Sequence, residues 1–285
     1  MRLFVFGLGY TAQALIRTTA WAQVAGTVRE DGKAQNLKAR GIVAHSLTKG
    51  DADLSDDLRR ADAILVSASP DAEGDPTLNR FSDRIASSGA SWIGYLSTTG
   101  VYGDHGGAWI DETTPAAPLS PPSKQRHAAE QAWLALGRKT GQAVHLFRLT
   151  GIYGPGRNAF VGLAQGTAQR IVKPGQVFNR VHVDDIAATL VASLRRPRAG
   201  AIYNVTDDEP APPQDVVAYA AQLAGIEPPP EIPFEAARMS PMALSFYAEN
   251  KRVSNRLIKD ELGMRLRYPT YREGLAALYA AGEYA

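Results

Sequence analysis

The sequence predicts an α/β fold in which a doubly wound parallel sheet is covered by helices on both faces. Two observations lead to this prediction. A glycine-rich turn directly follows the first apolar segment, and strand-like segments alternate with helix-like segments through the first half of the chain. The strand-like segments are too apolar for a sheet with one wet face, so helices must cover both of its sides.

The first element is an apolar strand at 3–6 that ends at two glycines and leads into an alanine-containing helix. Gly7 permits a tight turn, Gly9 lets the backbone approach a diphosphate, and Ala12 keeps the helix near the strand. The free N–H groups and partial positive charge of the helix start favour phosphate. The predicted cofactor-binding residues of this turn are Gly7, Gly9, Tyr10, Thr11 and Ala12.

The remaining elements are predicted from apolar patterning. Further strands are expected at 24–28, 42–45, 63–67, 92–96, 143–147 and 202–205. Helices are expected at 33–40, 53–59, 78–87, 123–139, 184–194, 213–224, 253–262 and 271–281. The segment 227–233 holds four prolines and is expected to be an irregular connector.

Composition excludes several function classes. The 285 residues carry 31 basic and 29 acidic side chains and a net charge of +2, which gives no electrostatic case for nucleic acid. The absence of cysteine excludes disulfides, thiolate catalysis and Cys-ligated metals. No apolar run approaches the roughly 18 residues of a membrane span. We therefore expect a cytoplasmic protein that binds neither nucleic acid nor membranes.

The end of the second strand indicates which dinucleotide is bound. Arg29 stands where an acidic residue would hydrogen-bond the ribose of NAD, and Lys33 follows one helical turn later. A guanidinium at this place suits the 2′-phosphate of NADP. The alternative is that Arg29 is a solvated loop residue and Glu30 binds the ribose, so NAD stays open.

Four motifs in the rest of the chain carry a family resemblance. They are LSTTGVYG at 96–103, RLTGIYGPGR at 148–157, VHVDDIA at 181–187 and YNV at 203–205. With the glycine turn, this ordered set resembles the extended short-chain dehydrogenase/reductase superfamily in its NAD-dependent epimerase/dehydratase branch. The resemblance implies a Rossmann domain of 1–157 plus about 178–206. A small mixed substrate domain of 158–177 plus 207–285 would face it across a cleft.

The chain departs from this family at the positions of the catalytic residues. The family uses a tyrosine with a lysine four residues later, and a nearby Ser or Thr hydroxyl orients the substrate oxygen. Thr98 matches that orienting hydroxyl, but Pro122 and Arg126 stand at the tyrosine and lysine positions. The chain therefore resembles atypical members that keep the nucleotide fingerprint and lose the Tyr-Lys pair.

Five residues are candidate substitutes for that pair. Lys124 reaches the cleft if the first helical turn is not formed, and Arg126 can hold a phosphate or ribose but stays protonated. His127 titrates in the right range, although at mid-helix it is more typical of a surface or packing residue. Tyr102 and Tyr153 lie at strand ends that face the cleft, where the family usually gives them a structural role.

Other cleft residues are expected to contact cofactor or substrate. The small residues Ser67, Ala68 and Ser69 follow the fourth strand. At this place the family packs small residues against the adenosine ribose and the diphosphate. The alternative is an ordinary strand-to-loop turn. Asp53 is a weak match to the family's aspartate near adenine, with Ser46 as the competing alignment.

The segment before the predicted helix at 184–194 holds candidate substrate contacts, Asn179, Arg180 and His182. Arg180 is expected to bind an anionic group or to pair with one of the acids that follow. Asp184 and Asp185 are expected to cap their helix, and adjacent acids diverge too much to hold a metal.

Two functions follow from these observations. The first is an NADP-dependent oxidoreductase or epimerase-like enzyme acting on an unknown hydroxyl or carbonyl substrate, nucleotide-sugar-like by family analogy, with a non-standard acid or base. The second is a catalytically inactive NADP-bound sensor or scaffold. A homodimer through the helices at 78–87 and 123–139 is possible, because their apolar faces pack either against a partner or within the monomer.

Overall fold

The computed structural model describes residues 1–49 and 54–284 and confirms the predicted α/β fold. Seven strands form one parallel sheet in the order β11-β7-β5-β4-β1-β2-β3. These strands are β1 (Arg2–Phe6), β2 (Gln23–Val28), β3 (Val43–Ser46), β4 (Ala63–Val66), β5 (Trp92–Thr98), β7 (Ala143–Leu149) and β11 (Ala201–Val205). Asp53, proposed near adenine, lies outside the described residues.

The central strand of the sheet is β1, which pairs with β2 on one side and β4 on the other. Leu3 lies opposite both Val24 and Ala63. The strand order reverses at this point, and ligands of open α/β sheets bind in the crevice at such a reversal. The glycine turn after β1 and the small residues after β4 meet there.

Helices cover both faces of the sheet, as the apolar strands require. One buried cluster includes residues of α1 and α7, and a second lies on the opposite face with residues of α3, α4 and α5. These helices are α1 (Tyr10–Thr18), α2 (Asp31–Lys38), α3 (Ser55–Arg59), α4 (Pro76–Ala86), α5 (Pro121–Thr140) and α7 (Val183–Arg195).

The second half of the chain adds three two-stranded parallel sheets beside the main one. They pair β8 (Gly151–Tyr153) with β10 (Arg180–His182), β9 (Arg170–Val172) with β12 (Glu231–Pro233), and β6 (Trp109–Ile110) with β13 (Arg252–Val253). The other helices are α6 (Ala159–Ala164), α8 (Pro213–Ala224), α9 (Pro241–Tyr247), α10 (Arg256–Leu262) and α11 (Tyr271–Ala280).

Two expectations for this half were wrong. The proline-rich segment 227–233 is not wholly irregular, because its end forms β12 at the edge of a small sheet, where a strand tolerates proline. The predicted helix at 253–262 is shorter than expected, because Val253 belongs to β13 and the helix begins at Arg256. Among residues 1–49 and 54–284, no helix is long and apolar enough to cross a membrane.

Candidate functional site

The glycine turn after β1 packs directly against the end of β4. Gly7 has φ +90°, and a Cβ atom placed on it would lie 3.3 Å from the backbone nitrogen of Ala68. The Gly7 N–H donates to Oγ1 of Thr27 at 3.0 Å, and the Gly9 N–H donates to the Gly7 carbonyl at 2.7 Å. Glycine is required at position 7 by both its backbone conformation and this close approach.

The start of α1 is left open by its own side chains. Gly9 is the N-cap residue, no side chain caps the helix, and its first turn contains no acid. The first helical bond runs from the Gln13 N–H to the Gly9 carbonyl at 3.0 Å, so the earlier N–H groups have no helical partner. Such an end attracts an anion through its N–H groups and the helix dipole.

The loop after β8 closes over this helix start. The Tyr10 hydroxyl donates to the carbonyl of Pro155 at 3.0 Å, and burial raises the pKa of Tyr10 to about 12. A Cβ atom on Gly154 would lie 2.7 Å from the Tyr10 oxygen. Tyr10 therefore connects the glycine turn to the YGPGR segment at 153–157, although Tyr10 and Pro155 are 145 residues apart in the chain.

The residues proposed to select the dinucleotide lie at the end of β2. Arg29 and Glu30 are both exposed, and Glu30 is the N-cap residue of α2 without a side-chain cap bond. Lys33 is also exposed and lies in the first turn of α2. Two cations, Arg29 and Lys33, and two acids, Glu30 and Asp31, therefore lie together at the end of β2 and the start of α2.

The ends of β4 and β5 are joined by Arg126 of α5. Its guanidinium donates from Nη1 to the carbonyl of Leu96 at 2.9 Å and from Nη2 to Oγ of Ser69 at 3.1 Å. Ser67 and Ala68 are partly exposed at the same edge, beside Gly9. Arg126 therefore brings a positive charge to the carboxyl ends of β4 and β5.

Three hydroxyl groups converge where β5 ends and α5 begins. Ser120 caps α5, and its hydroxyl donates to Oγ of Ser123 at 2.9 Å. A Cβ atom on Gly100 would lie 2.8 Å from Oγ of Ser123 and 3.5 Å from Oγ1 of Thr98. Sequence reasoning identified Thr98 but missed both serines, although a serine before Pro-Pro is a recognisable helix-start signal.

Helix α5 begins at Pro121, before the predicted start at 123, and contains no tyrosine. Pro122 lies in its first turn and is exposed. Lys124 is already helical and exposed, so the condition under which it was expected to reach the cleft is not met. Of the residues weighed on this helix, Arg126 contacts the crevice edge.

The two candidate tyrosines are buried and already hydrogen-bonded. The Tyr102 hydroxyl donates to Oδ1 of Asn204 at 2.8 Å, and that of Tyr153 donates to the Thr270 carbonyl at 3.4 Å. Burial raises the pKa of both phenols. Both hydroxyls therefore already have a protein acceptor.

A buried ion pair links α5 to β5 and β7. Glu130 of α5 accepts from Nε and Nη2 of Arg148 at 3.0 and 2.8 Å, and from the Ser97 hydroxyl at 2.6 Å. Nδ1 of His127 lies 3.5 Å from the same carboxylate. Sequence analysis missed this pair because its members lie in different elements and neither residue stands out by itself.

The proposed substrate contacts face the interior. Asn179 bridges two backbone groups, donating to the Lys251 carbonyl and accepting from the Val253 N–H, both at 2.8 Å. The Arg180 guanidinium lies 5.6 Å from the Tyr271 ring, and burial lowers its pKa. The carboxylate acting on Arg180 is Asp207, not one of the acids at the start of α7.

The helix start at α7 corrects the expected roles of its acids. His182 is the N-cap residue, and its Nδ1 accepts from the Asp184 N–H at 3.2 Å. The carboxylate of Asp185 accepts from the N–H groups of Arg267 and Tyr268 at 2.7 and 3.0 Å, so it fixes a distant loop instead of capping its own helix. Burial lowers the pKa of His182 to about 4. Within the described ranges, no three His, Asp or Glu side chains group as metal ligands.

Comparison with known proteins agrees with this geometry. The model of the NAD-dependent epimerase/dehydratase family matches residues 79–206. A protein named YeeZ from Escherichia coli K12 is 28% identical over 287 residues, which cover 94% of this chain and 96% of that protein.

Two solved structures extend the comparison. A conserved protein of unknown function from Silicibacter pomeroyi is 49% identical, with a TM-score of 0.90 and 99% of each chain covered. UDP-glucuronic acid 4-epimerase from Bacillus cereus, solved in complex with NAD, has a TM-score of 0.77 at 18% identity and shares the fold over 98% of this chain and 96% of its own. The match of residues 79–206 to the family model, the glycine turn and the sheet order make this chain similar to the NAD-dependent epimerase/dehydratase family.

Proposed function

We propose that this protein binds NADP(H) across the glycine turn and transfers a hydride between the nicotinamide and a hydroxyl or carbonyl carbon of a small polar substrate. The observation that carries the proposal is the open start of α1. It lies at the point where the strand order reverses, with Gly7 packed against the end of β4 and no side chain capping the helix. This arrangement supplies N–H groups and a positive helix end for a diphosphate.

The choice of NADP rests on the charges at the end of β2. Arg29 and Lys33 are exposed beside the crevice, where a guanidinium and an ammonium would bind a 2′-phosphate. Glu30 is the residue that would bind a ribose hydroxyl if the protein preferred NAD. Arg29, which stands where the ribose-binding acid of an NAD site would be, favours the phosphorylated cofactor.

The remaining crevice residues fit a hydroxyl or carbonyl substrate. Thr98 ends β5 and is partly exposed, and its Oγ1 accepts the Gly100 N–H at 3.1 Å, so the proton of its hydroxyl would be available to a substrate oxygen. The guanidinium of Arg126 stands between the ends of β4 and β5, where it would hold the nicotinamide ribose. Bound NADPH supplies the hydride, and the protein orients the acceptor carbon.

A second candidate function is an NADP-bound sensor or scaffold that does not turn over. It is favoured by the absence of a tyrosine from α5 and by the burial of Tyr102 and Tyr153, whose hydroxyls are committed to protein acceptors. The two candidates share the cofactor site and differ in whether a proton donor reaches the substrate.

Isothermal titration of the protein with NADPH and NADH tests the shared part. We expect NADPH to bind at least tenfold more tightly, and Arg29→Ala to remove most of that preference while leaving NADH affinity unchanged. Arg256→Ala is the matched control, because Arg256 is an exposed arginine of α10. Equal or tighter binding of NADH by the wild-type protein would contradict the NADP assignment.

Absorbance at 340 nm with NADPH and a panel of aldehydes and ketones separates the two candidates. The enzyme predicts oxidation of NADPH that falls at least tenfold in Thr98→Ala. Tight binding of NADPH with no oxidation across the panel would favour the sensor.

A further inference from the structure

We propose that Arg157 binds the diphosphate of the dinucleotide, and that the turn 154–157 holds this arginine at the start of α1. The proposal rests on the proposed function, because it adds a cation to the cofactor site proposed there. It is carried by the contacts that fasten the turn 154–157 to Tyr10 and by the uncommitted guanidinium that this turn presents.

The Tyr10 side chain leans out past the start of α1. Tyr10 is the first residue of the helix, and a helical side chain points toward the N-terminal end of its own helix. The Tyr10 hydroxyl is therefore expected in front of the helix, on the side from which an anion approaches the free N–H groups. Residues that contact this hydroxyl border the same space.

The turn 154–157 contacts the outer end of Tyr10. The Tyr10 hydroxyl donates to the Pro155 carbonyl at 3.0 Å, and the backbone of Gly154 approaches so closely that a Cβ atom there would lie 2.7 Å from the hydroxyl oxygen. Gly154 and Arg157 exchange both of their backbone hydrogen bonds, at 2.9 and 3.0 Å, which closes the turn. Arg157 thus lies directly opposite the residue that touches Tyr10.

The carboxylate of Glu283 fastens the same turn to the end of the chain. Its Oε2 accepts the Gly156 N–H at 2.7 Å, although the two residues are 127 positions apart. Gly156 has φ +68°, which favours glycine and gives the turn its tight shape. The turn is therefore held at two points, Tyr10 and Glu283. Glu283 is a positioning residue in this proposal, because it acts on the turn and not on the dinucleotide.

Arg157 brings an uncommitted cation to this place. The residue is exposed, and within the part of the chain that the structure describes no group accepts a hydrogen bond from its guanidinium or pairs with it. Burial raises the pKa of the Tyr10 phenol to about 12, and the Arg157 guanidinium is the charge that opposes this rise most strongly. The guanidinium therefore acts at the outer end of the Tyr10 side chain.

A diphosphate needs such a cation at the start of α1. The helix supplies only a partial positive charge, and the acids Asp184 and Glu283 also act on the Tyr10 hydroxyl. The other cation that acts there, Arg17, lies in the last turn of α1. A guanidinium matches two phosphate oxygens with two parallel N–H bonds, so Arg157 would offset the repulsion by the acids and orient the diphosphate.

Titration of the full chain with NADPH and NADH tests the role of Arg157. Both dinucleotides carry the diphosphate, so Arg157→Gln should weaken both by the same factor, about tenfold. Arg157→Lys keeps the charge and should recover part of the loss. Arg138→Gln is the matched control, because Arg138 is an exposed arginine in the last turn of α5, and it should bind both dinucleotides like the wild-type protein.

Fragments of the cofactor separate the diphosphate from the 2′-phosphate. Inorganic pyrophosphate should compete with NADPH about tenfold less effectively in Arg157→Gln than in the wild-type protein. Adenosine 2′-monophosphate has no diphosphate and should compete equally well in both. The loss caused by Arg157→Gln should shrink as salt is added, because the guanidinium is exposed.

Two changes at Glu283 test the positioning role. Glu283→Gln removes the charge and keeps an oxygen that can accept the Gly156 N–H, whereas Glu283→Ala removes both. We expect NADPH to bind about threefold more weakly to the Ala variant than to the Gln variant, because the turn loses a hydrogen bond. This difference should disappear when Arg157→Gln is also present. A difference that persists would overturn the positioning role.

The outcomes separate this proposal from the proposed function. If NADPH binds the wild-type protein and Arg157→Gln leaves both affinities unchanged, or weakens NADPH alone, Arg157 does not bind the diphosphate and the cofactor assignment stands. If neither dinucleotide binds the wild-type protein, the proposed function fails and the role of Arg157 fails with it.

Discussion

Helices α1 and α7 pack side by side in one buried cluster, yet their N-termini are built in opposite ways. Helix α1 begins at Gly9 with no side-chain cap and no acid in its first turn. Helix α7 begins at His182, whose ring accepts an N–H, and carries Asp184 and Asp185 in its first turn. A helix N-terminus attracts negative charge, so α7 is satisfied by the chain itself and α1 is left for a ligand. We therefore propose that one fold uses helix N-termini for structure at α7 and for ligand binding at α1.

The largest effect is expected at the closed helix start. Asp185→Ala would leave the buried N–H groups of Arg267 and Tyr268 without their acceptor, which should lower the free energy of unfolding by about 3 kcal/mol. Asp184→Ala is the matched control, because its carboxylate is 40% exposed and should change stability by less than about 1 kcal/mol. Urea denaturation of the two variants measures both values. Equal losses would mean that the acids act through the helix dipole alone.

The next effect is expected when the open start is closed artificially. Gly9 has an extended backbone (φ −91°), and a Cβ atom there would meet its neighbours at 3.8 Å or more, so Gly9→Asp fits without a clash. Its carboxylate would cap α1 as the polar side chains of other helices do, and would repel a diphosphate. We expect NADPH affinity to fall about 100-fold, or about 2.8 kcal/mol, without loss of stability.

The matched control for this change is Gly9→Asn, which has the same shape without the charge. Titration calorimetry should show a loss about tenfold smaller for Asn than for Asp. If both variants bind NADPH like the wild-type protein, the diphosphate does not lie at α1 and the contrast between the two helices has no functional meaning.

The third prediction concerns pH and the cap of α7. Burial lowers the pKa of His182 to about 4, whereas an unfolded histidine titrates near 6.5. As pH falls through this window the unfolded chain takes up the proton first, so folding loses stability, by about 2 kcal/mol between pH 6.5 and 4.5. His145 has the same depressed pKa and adds to the effect.

The variant His182→Asn isolates this contribution, because its amide oxygen can accept the same N–H and does not titrate. The difference in unfolding free energy between wild type and variant should therefore change with pH over this window. Asp207, whose pKa burial raises to about 8, makes an opposing contribution that is common to both proteins. A difference that is independent of pH would show that His182 is not held neutral by the fold.

The smallest effect is expected at the rim of the open site. Lys33 is exposed in the first turn of α2, so its attraction to a 2′-phosphate is screened by water and salt. Lys33→Ala should weaken NADPH binding about threefold at low salt and leave NADH binding unchanged. A loss that does not shrink as salt is added would indicate a direct, desolvated contact instead.

The fold was predictable because its strands are buried on both sides. Strand β4 is buried at every position. Such a strand fits the interior of a parallel sheet, because helices cover both faces of the sheet there. Strand β12 was missed because proline normally excludes a strand. At the edge of a two-stranded sheet it is tolerated, which is a property of the neighbours and not of the segment.

The site was predictable where one local motif carries it. Residues 7–12 are enough to predict the glycine turn. The structure gives Gly7 the positive φ that this pattern requires. The role of Asp185 was not predictable, because its partners lie 82 and 83 residues away. The contact of Ser123 with Gly100 was not predictable for a similar reason, since the two residues belong to different elements.

The most direct test of the central claim is a crystal structure of the protein grown with NADP⁺. We predict that the diphosphate lies over Gly9 at the start of α1, with the 2′-phosphate beside Arg29. A dinucleotide bound away from the glycine turn, or no bound dinucleotide at millimolar concentration, would contradict the account.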